Sequence, residues 1–258
     1  MKKTSILVVS WLQDLCWLEF CLRSIEKFAS GFHETVVLVP LQEIEEFQDR
    51  LVGPPGLRIK TYHRVEDKAK FHLHHQAMKC HADAWCLTAD FVLHIDSDCV
   101  FSAPVTPEDY FVDGKPVMLM EPYKNLANNP WQIPTQNALK GVVSHEFMRR
   151  HPQVNPIEVY LDLREHIHRL HNMTLESYIL RQKADFPWGI SEHNLIGAYA
   201  FESHRDAYHW IDVSKKSRPA SKLIQFWSHS PPDKPQGMPN GEQGTPIKML
   251  RELGLCPL

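Results

Sequence analysis

Leu93-His94-Ile95-Asp96-Ser97-Asp98-Cys99-Val100-Phe101 (LHIDSDCVF) is the stretch on which the reading of the fold turns. An apolar run leads in, two aspartates one serine apart interrupt it, and an apolar run resumes. Two carboxylates this close repel each other, and burial takes water from both. A buried strand that ends in such a pair needs compensation, and a cation is the candidate. Hard oxygen ligands favour Mg²⁺ or Mn²⁺, and Mg²⁺ usually also takes phosphate oxygens from a substrate.

The segments upstream say what kind of sheet that strand joins. Ser5 to Ser10 and Glu34 to Pro40 are β-branched and apolar, and read as buried strands. Leu57 to Tyr62 reads as a third strand and Phe91 to Ile95 as a fourth. Between them, Asp14 to Ala29 carries Leu15, Leu18, Leu22, Ile25 and Phe28 at helical spacing. Gln42 to Leu51 and Lys68 to Ala82 read as further helices. Strands that alternate with helices imply crossovers and a mostly parallel sheet. Both faces of such strands are covered, hence their continuous apolar runs. Ligands of open α/β sheets bind beyond the carboxyl ends of the strands, which is where Asp96 and Asp98 fall.

The second half is less regular. Pro116 to Glu121, Tyr208 to Val213 and Leu223 to Trp227 read as strands. Ile157 to Leu170, Leu175 to Gln182 and Ser191 to Glu202 read as helices. Asn125 to Gln136, with several Asn and Pro, reads as a loop, and the Pro- and Gly-rich chain from Pro231 onward as a loop-like tail. No repeat or linker is evident. The expectation is an α/β fold in one domain over 1–258, with 1–115 and 116–258 as its two halves.

Composition narrows the partners. The chain has 258 residues, 43% hydrophobic and 23% charged, with a formal net charge of -3. That implies no general attraction to nucleic acid or to an anionic membrane. No run approaches the ~20 apolar residues of a membrane span. The apolar run Ile6 to Val9 is too short for a signal peptide. The six cysteines form no CxxC pair, and a reduced, cytoplasmic protein is expected. His72, His74, His75 and His81 crowd one segment, and His166, His168 and His171 another, but there is no HExxH, so no histidine-bound zinc is expected. Neither GxGxxG nor GxxxxGK[ST] occurs, which disfavours dinucleotide oxidoreductases and P-loop enzymes.

The apolar strand, the Asp-x-Asp and the apolar continuation together resemble the GT-A glycosyltransferases. His75-Gln76-Ala77-Met78-Lys79 before it, and Trp188-Gly189-Ile190-Ser191-Glu192-His193-Asn194-Leu195 after it, resemble an uncharacterised bacterial branch of that superfamily. That branch tends to carry Gln-Gln-x-x-Lys and a Ser-Glu-Tyr-Asn-like segment. Here His75 stands in place of the first Gln and His193 in place of the Tyr.

The resemblance implies a GT-A-like, Rossmann-like sheet flanked by helices, with a nucleotide-diphosphate sugar as donor and a carbohydrate hydroxyl as acceptor. It implies Mn²⁺ or Mg²⁺ held by Asp98 and His229, with Asp96 on the metal or on ribose and Ser97 beside them. His229 is otherwise an exposed loop histidine. Ser10, Trp11 and Asp14 follow the first strand, where the nucleotide base rests in that fold; Trp11 is otherwise packing. Gln76 and Lys79 would reach the donor sugar or phosphate, or else line a solvated helix face. Lys234 resembles the diphosphate lysine of a His-to-Lys-Pro tail, at a spacing shorter by one and without the usual glycine.

Glu192 has two readings. It is a helix-dipole partner in a first turn capped by Ser191, or the general base of an inverting enzyme. Trp188 would then stack on the acceptor sugar, and Asn194 would hydrogen-bond it. Inversion is slightly favoured. The alternatives are a nucleotidyltransferase of sugar-nucleotide synthesis and a non-catalytic carbohydrate binder. The first would want a basic Gly-rich stretch after strand one, and Ser10 to Trp17 has none.

Overall fold

The computed structural model describes residues 2–148, 152–183, 189–216, 221–226, 232–234, 236–237 and 243–256. The fold class is α/β, with a mixed, mostly parallel central sheet and flanking helices. In chain order the first elements are β1 (Thr4–Val9), α1 (Leu15–Phe28), β2 (Thr35–Pro40), α2 (Ile44–Gln48), β3 (Leu57–Tyr62), α3 (Phe71–Lys79), α4 (Ala82–Trp85), β4 (Phe91–His94) and β5 (Cys99–Phe101). Then come β6 (Phe111–Val112), β7 (Lys115–Pro122), α5 (Gln132–Leu139), β8 (His145–Glu146), β9 (Gln153–Pro156), α6 (Glu158–His171), α7 (Leu175–Leu180) and α8 (Glu192–Ser203). The last are β10 (His209–Asp212), β11 (Leu223–Gln225), β12 (Gln236–Gly237), β13 (Gln243–Gly244) and α9 (Pro246–Glu252).

The contacts divide into two compact units, both drawn from separated segments. One holds Met1–Lys3, Arg64–Leu93 and Tyr110–Pro219; the other holds Thr4–His63, His94–Asp109 and Ala220–Leu258.

In the second unit β1 pairs in parallel with β2, and β2 with β3. All six residues of β1 and of β2 are buried. Both strands are thus covered on two faces, the condition their unbroken apolar sequences imply. Helix α1 buries Leu15, Leu18, Leu22 and Ile25, as its spacing predicts. It packs near β5, which pairs antiparallel with β11. Trp17 of α1 stacks on Phe226 with ring centroids 5.4 Å apart, and Phe20, Val100, Leu250 and Leu255 complete that core.

Leu250 and Leu255 belong to the tail that the sequence reads as loop. The tail instead forms α9, started by Pro246 at a position where the missing N–H costs nothing.

The first unit is built around α8. Every residue from Glu192 to Phe201 is buried, so this helix runs through the core rather than over it. Ser191 caps it, its hydroxyl accepting from Asn194 N–H at 3.2 Å, as the sequence reading expects. Gly197 lets the helix lie against Phe147: a Cβ there would sit 2.4 Å from Phe147 Cβ.

Strand β7 pairs in parallel with β10 and antiparallel with β6 and β8. The stretch read as loop, Asn125 to Gln136, contains the start of α5. Pro134 sits in that helix's first turn, where no intrahelical donor is needed. Among the described residues no helix is long and apolar enough to cross a membrane.

Candidate functional site

In the second unit the chain leaves β4 through Ile95, whose N–H donates to the Leu7 carbonyl at 3.3 Å. It then turns tightly, with Cys99 N–H donating to the Asp96 carbonyl at 3.0 Å. The Asp98 carbonyl accepts from Phe226 N–H at 2.8 Å, which ties the turn to the residue after β11. Ser97 and Asp98 are buried and Asp96 is half-buried.

The Ser97 hydroxyl donates to Asp14 Oδ2 at 3.2 Å, across 83 residues of sequence. Two stretches chosen separately from the sequence, Ser10 to Asp14 and Asp96 to Asp98, thus meet here. Asp14 is half-buried and sits at the amino end of α1, where the helix dipole favours negative charge.

Two buried thiols lie beside these acids. Cys99 Sγ is 3.8 Å from Asp98 Oδ1, and Cys21 Sγ is 3.9 Å from the Asp96 carbonyl. Burial pushes both thiols well above the ordinary cysteine range, and the charges of Asp98 and then Asp96 push them further. Both carboxylates therefore act on the same two sulfurs. The thiols beside the turn stay neutral.

Ser10 is fully buried. Its N–H donates to the Leu38 carbonyl, and its hydroxyl has no hydrogen-bond partner among the described residues. Trp11 is half-buried in extended backbone. Lys234 is exposed, and His229 lies outside the described residues.

Among the described residues no group of three or more His, Cys, Asp or Glu is placed to hold a metal ion. What the turn offers is the pair Asp96 and Asp98, hard oxygen donors at a strand end. That set fits an ion such as Mg²⁺ or Mn²⁺, which keeps several waters and takes phosphate oxygens to complete its shell. The buried Ser10 hydroxyl near the start of the same region is a second group waiting for a polar partner.

In the first unit, α3 and α8 bring Lys79 and Glu192 together. Lys79 Nζ lies 2.7 Å from Glu192 Oε1, with the side chains 6% and 5% exposed. His193 Nε2 is 3.5 Å from the same oxygen. From His193 a polar chain runs through the interior. Its Nδ1 is 3.3 Å from Gln153 Oε1, Gln153 Nε2 donates to the His193 carbonyl at 3.1 Å, and Asn155 Nδ2 donates to Gln153 Oε1 at 3.2 Å. Tyr208 OH donates to Asn155 Oδ1 at 2.9 Å.

Gln76, one turn before Lys79, is buried. Its Nε2 is 2.9 Å from His72 Nε2, and its Oε1 has no partner among the described residues. Neither Gln76 nor Lys79 lies on a solvated face.

Asn194 is fully buried. Its Oδ1 accepts from Phe147 N–H at 2.9 Å, and its Nδ2 donates to Tyr123 OH at 3.0 Å and Thr135 Oγ1 at 2.8 Å. The amide is spent on holding α8 to β8 and α5. Trp188 lies outside the described residues.

Gln153, Asn155, Cys21 and Cys99 carry no motif, and only their tertiary neighbours mark them out. A polar pair in the short buried strand QVNP of β9 is the one sequence cue for Gln153 and Asn155. No protein-family model matches the sequence, and no curated protein matches it.

Proposed function

We propose that the chain is a metal-dependent glycosyltransferase that moves a sugar from a nucleotide-diphosphate donor to a carbohydrate hydroxyl. The observation that carries this reading is the acid turn: Asp96 and Asp98, one residue apart, follow the end of β4, and Ser97 between them donates to Asp14. A turn of this composition suits a diphosphate bound through a divalent cation. Asp98 and Asp96 would hold that cation, whose contribution when bound is to neutralise charge on the departing diphosphate.

The other roles belong to the chain's own groups. Ser10 offers the nucleotide a buried hydroxyl, and Trp11 an aromatic face. In the first unit, Glu192 is the residue assigned to take the acceptor's proton if the reaction inverts, and Lys79 fixes its carboxylate in place. Gln76, with a buried carbonyl oxygen to satisfy, hydrogen-bonds a sugar hydroxyl. Asn194 positions α8 and contacts no ligand.

The test is Asp98→Ala. It removes Mn²⁺-dependent release of nucleoside diphosphate from nucleotide sugars while leaving the circular dichroism spectrum unchanged. Turnover equal to that of the unaltered protein in a folded variant refutes the assignment. A companion screen measures melting temperature with nucleoside diphosphates, with and without Mn²⁺. A ligand that binds only the folded form raises it, and the rise should require both the metal and Asp98.

A further inference from the structure

The polar chain that begins at His193 has a direction, and that direction fixes where the imidazole keeps its proton. The His193 carbonyl can only accept, so the Gln153 atom 3.1 Å from it is the amide nitrogen. Gln153 Oε1 therefore faces the ring, 3.3 Å from Nδ1, and it also accepts from Asn155 Nδ2 at 3.2 Å. The Tyr208 hydroxyl orients Asn155 in turn by donating to its Oδ1 at 2.9 Å. An amide oxygen cannot donate, so Nδ1 must. A neutral imidazole has one donor and one acceptor nitrogen. In neutral His193 the acceptor is Nε2, the atom 3.5 Å from Glu192 Oε1.

A ring lone pair and a carboxylate thus meet in the interior, in side chains 4% and 5% exposed. Lys79 compensates the carboxylate, with Nζ 2.7 Å from the same oxygen. The surroundings add little charge. Gln153 and Asn155 of β9 and Met118 of β7 do not titrate, and burial keeps the Tyr208 hydroxyl protonated. Cys80, which follows Lys79, feels the charge of Glu192, but burial above all keeps its thiol neutral. Arg164 donates to the Cys80 carbonyl and is itself bound to Asp83.

Holding α8 against β9 requires a donor at the place of Nδ1, which an asparagine would supply as well. It does not require a basic atom turned toward Glu192.

We infer that His193 is the proton acceptor for Glu192: a proton that reaches the Glu192 carboxylate passes on to His193 Nε2. The inference rests on the reading of Glu192 as general base. In that reaction the acceptor's O–H bond breaks as its oxygen attacks the anomeric carbon, and an O–H bond forms on Glu192. That bond then breaks as Nε2–H forms, which restores the carboxylate beside Lys79 and leaves an imidazolium that gives its proton to water before the next turnover. An ordinary imidazole holds a proton about two pH units more tightly than an ordinary carboxyl group, so the transfer runs downhill. A resting separation of 3.5 Å suits such a pair, because catalytic contacts are often long before substrate binds and tighten afterwards. His193 acts through Glu192 and is a positioning residue rather than a substrate contact.

The first measurement needs no substrate. Ring nitrogens are followed by NMR in protein labelled with ¹⁵N-histidine, and the His193 signals are assigned by their loss in His193→Asn. Near pH 8, Nδ1 should carry the proton and Nε2 should be bare. On acidification Nε2 should take a proton. In Glu192→Gln, which keeps an oxygen for Lys79, it should do so about one pH unit lower or more, because a neighbouring anion favours the imidazolium. The opposite tautomer, or a titration indifferent to Glu192→Gln, overturns the inference. The second measurement is nucleoside diphosphate release as a function of pH. His193→Asn keeps the donor to Gln153 and lacks the basic nitrogen. It should lower kcat at least tenfold, leave the donor KM unchanged and move the acid limb of the profile to lower pH, where the carboxylate alone titrates. A merely structural role would lower the urea midpoint and leave that limb in place, and such a result also overturns the inference. If the unaltered protein turns over no nucleotide sugar while the tautomer and its coupling to Glu192 are as stated, the transferase reading fails and the proton site stands.

Discussion

Replacing Lys79 with Met tests how the interior of the first unit is held. Lys79 and Glu192 bond at 2.7 Å with side chains only 6% and 5% exposed, so neither charge has water to fall back on. Removing the ammonium leaves a carboxylate in the core. His193 Nε2, at 3.5 Å, is too far to replace it with a good hydrogen bond. Breaking a buried pair from one side costs about 3–5 kcal/mol, because the surviving buried charge has lost its counter-charge. Against a typical total of about 5–15 kcal/mol, that is a large share. Glu192→Leu takes the counter-charge from the ammonium and should cost a similar amount. The double variant removes both charges, fills the space with apolar atoms and should return to within about 1.5 kcal/mol of the unaltered protein. The coupling energy from the four-way cycle is then on the order of 5 kcal/mol, at the upper end for close charge pairs. Urea unfolding followed by far-ultraviolet circular dichroism reads this directly. With a slope of about 2–3 kcal/mol per molar, each single variant shifts the midpoint down by about 1–2.5 M and the double variant by far less. If Lys79→Met costs under about 1 kcal/mol, or the double variant loses as much as the two singles together, the pair is not the buried, mutually dependent unit described here.

Other buried groups of the first and second units give outcomes that can be measured. Asn194→Ala strands the Phe147 N–H inside the core and takes one donor each from the Tyr123 and Thr135 hydroxyls, the latter still donating to the Trp131 carbonyl; at about 1–3 kcal/mol for a stranded group, urea denaturation should register a loss of roughly 2–3 kcal/mol. Cys21, Cys80 and Cys99 are fully buried with thiols raised by desolvation, so a thiol reagent at pH 8 should leave them unmodified in the native protein and reach them only after unfolding; rapid native-state labelling, located by peptide mass, would contradict their placement. Glu176 is held below the usual carboxylate range chiefly by its hydrogen bond from His74, whose Nδ1 accepts from Val65 N–H and whose Nε2 therefore carries the proton. Because the folded value lies below the unfolded one of about 4.3, this group's stabilisation is complete above that pH and fades as pH falls through the folded value. The stability gap between the unaltered protein and Glu176→Gln should therefore be constant from pH 7 to about 5 and shrink below, and a gap that instead widens on acidification would refute the assignment.

The parts of this fold that could be read from the chain are those where one physical rule governs a long enough segment. β1 and β2 are runs of Val, Ile and Leu because both faces are buried, and burial on both faces is visible as an absence of polar residues. β3 agrees with its sequence bounds to the residue, and α1 to within a residue or so at each end, because its leucines recur at the helical period. Where the rule has no room to act, the reading fails. β5, β6, β8 and β9 have two to four residues each, too few for any period to show. Helix α5 was hidden by Asn and Pro, residues that disfavour a helix only beyond its first turn in the case of Pro134. Helix α9 was hidden by a Pro-rich approach, although Pro246 is better read as a start signal than a stop.

The candidate site divides along the same line, for a reason that lies in chemistry rather than length. Asp96 and Asp98 announce themselves because adjacent charges at the end of an apolar run are costly and so call for a purpose. The partners that give them meaning are remote. Asp14 reaches Ser97 across 83 residues, and Lys79 reaches Glu192 across 113. No local pattern contains either distance, so the sequence can nominate the residues but the topology alone can pair them. The pairing also changes what each residue is for. On α3, spacing alone leaves Lys79 a choice between ligand and solvent, and the fold gives it a buried carboxylate instead. Asn194, nominated as a sugar contact, becomes the clamp between α8 and its neighbours. At the acid turn the pairing joins Ser97 to Asp14, while among the described residues no third His, Cys, Asp or Glu stands with Asp96 and Asp98 to hold an ion. A cation held by that pair alone must complete its shell with water and with phosphate oxygens, so the proposed metal is one that binds with its substrate rather than ahead of it.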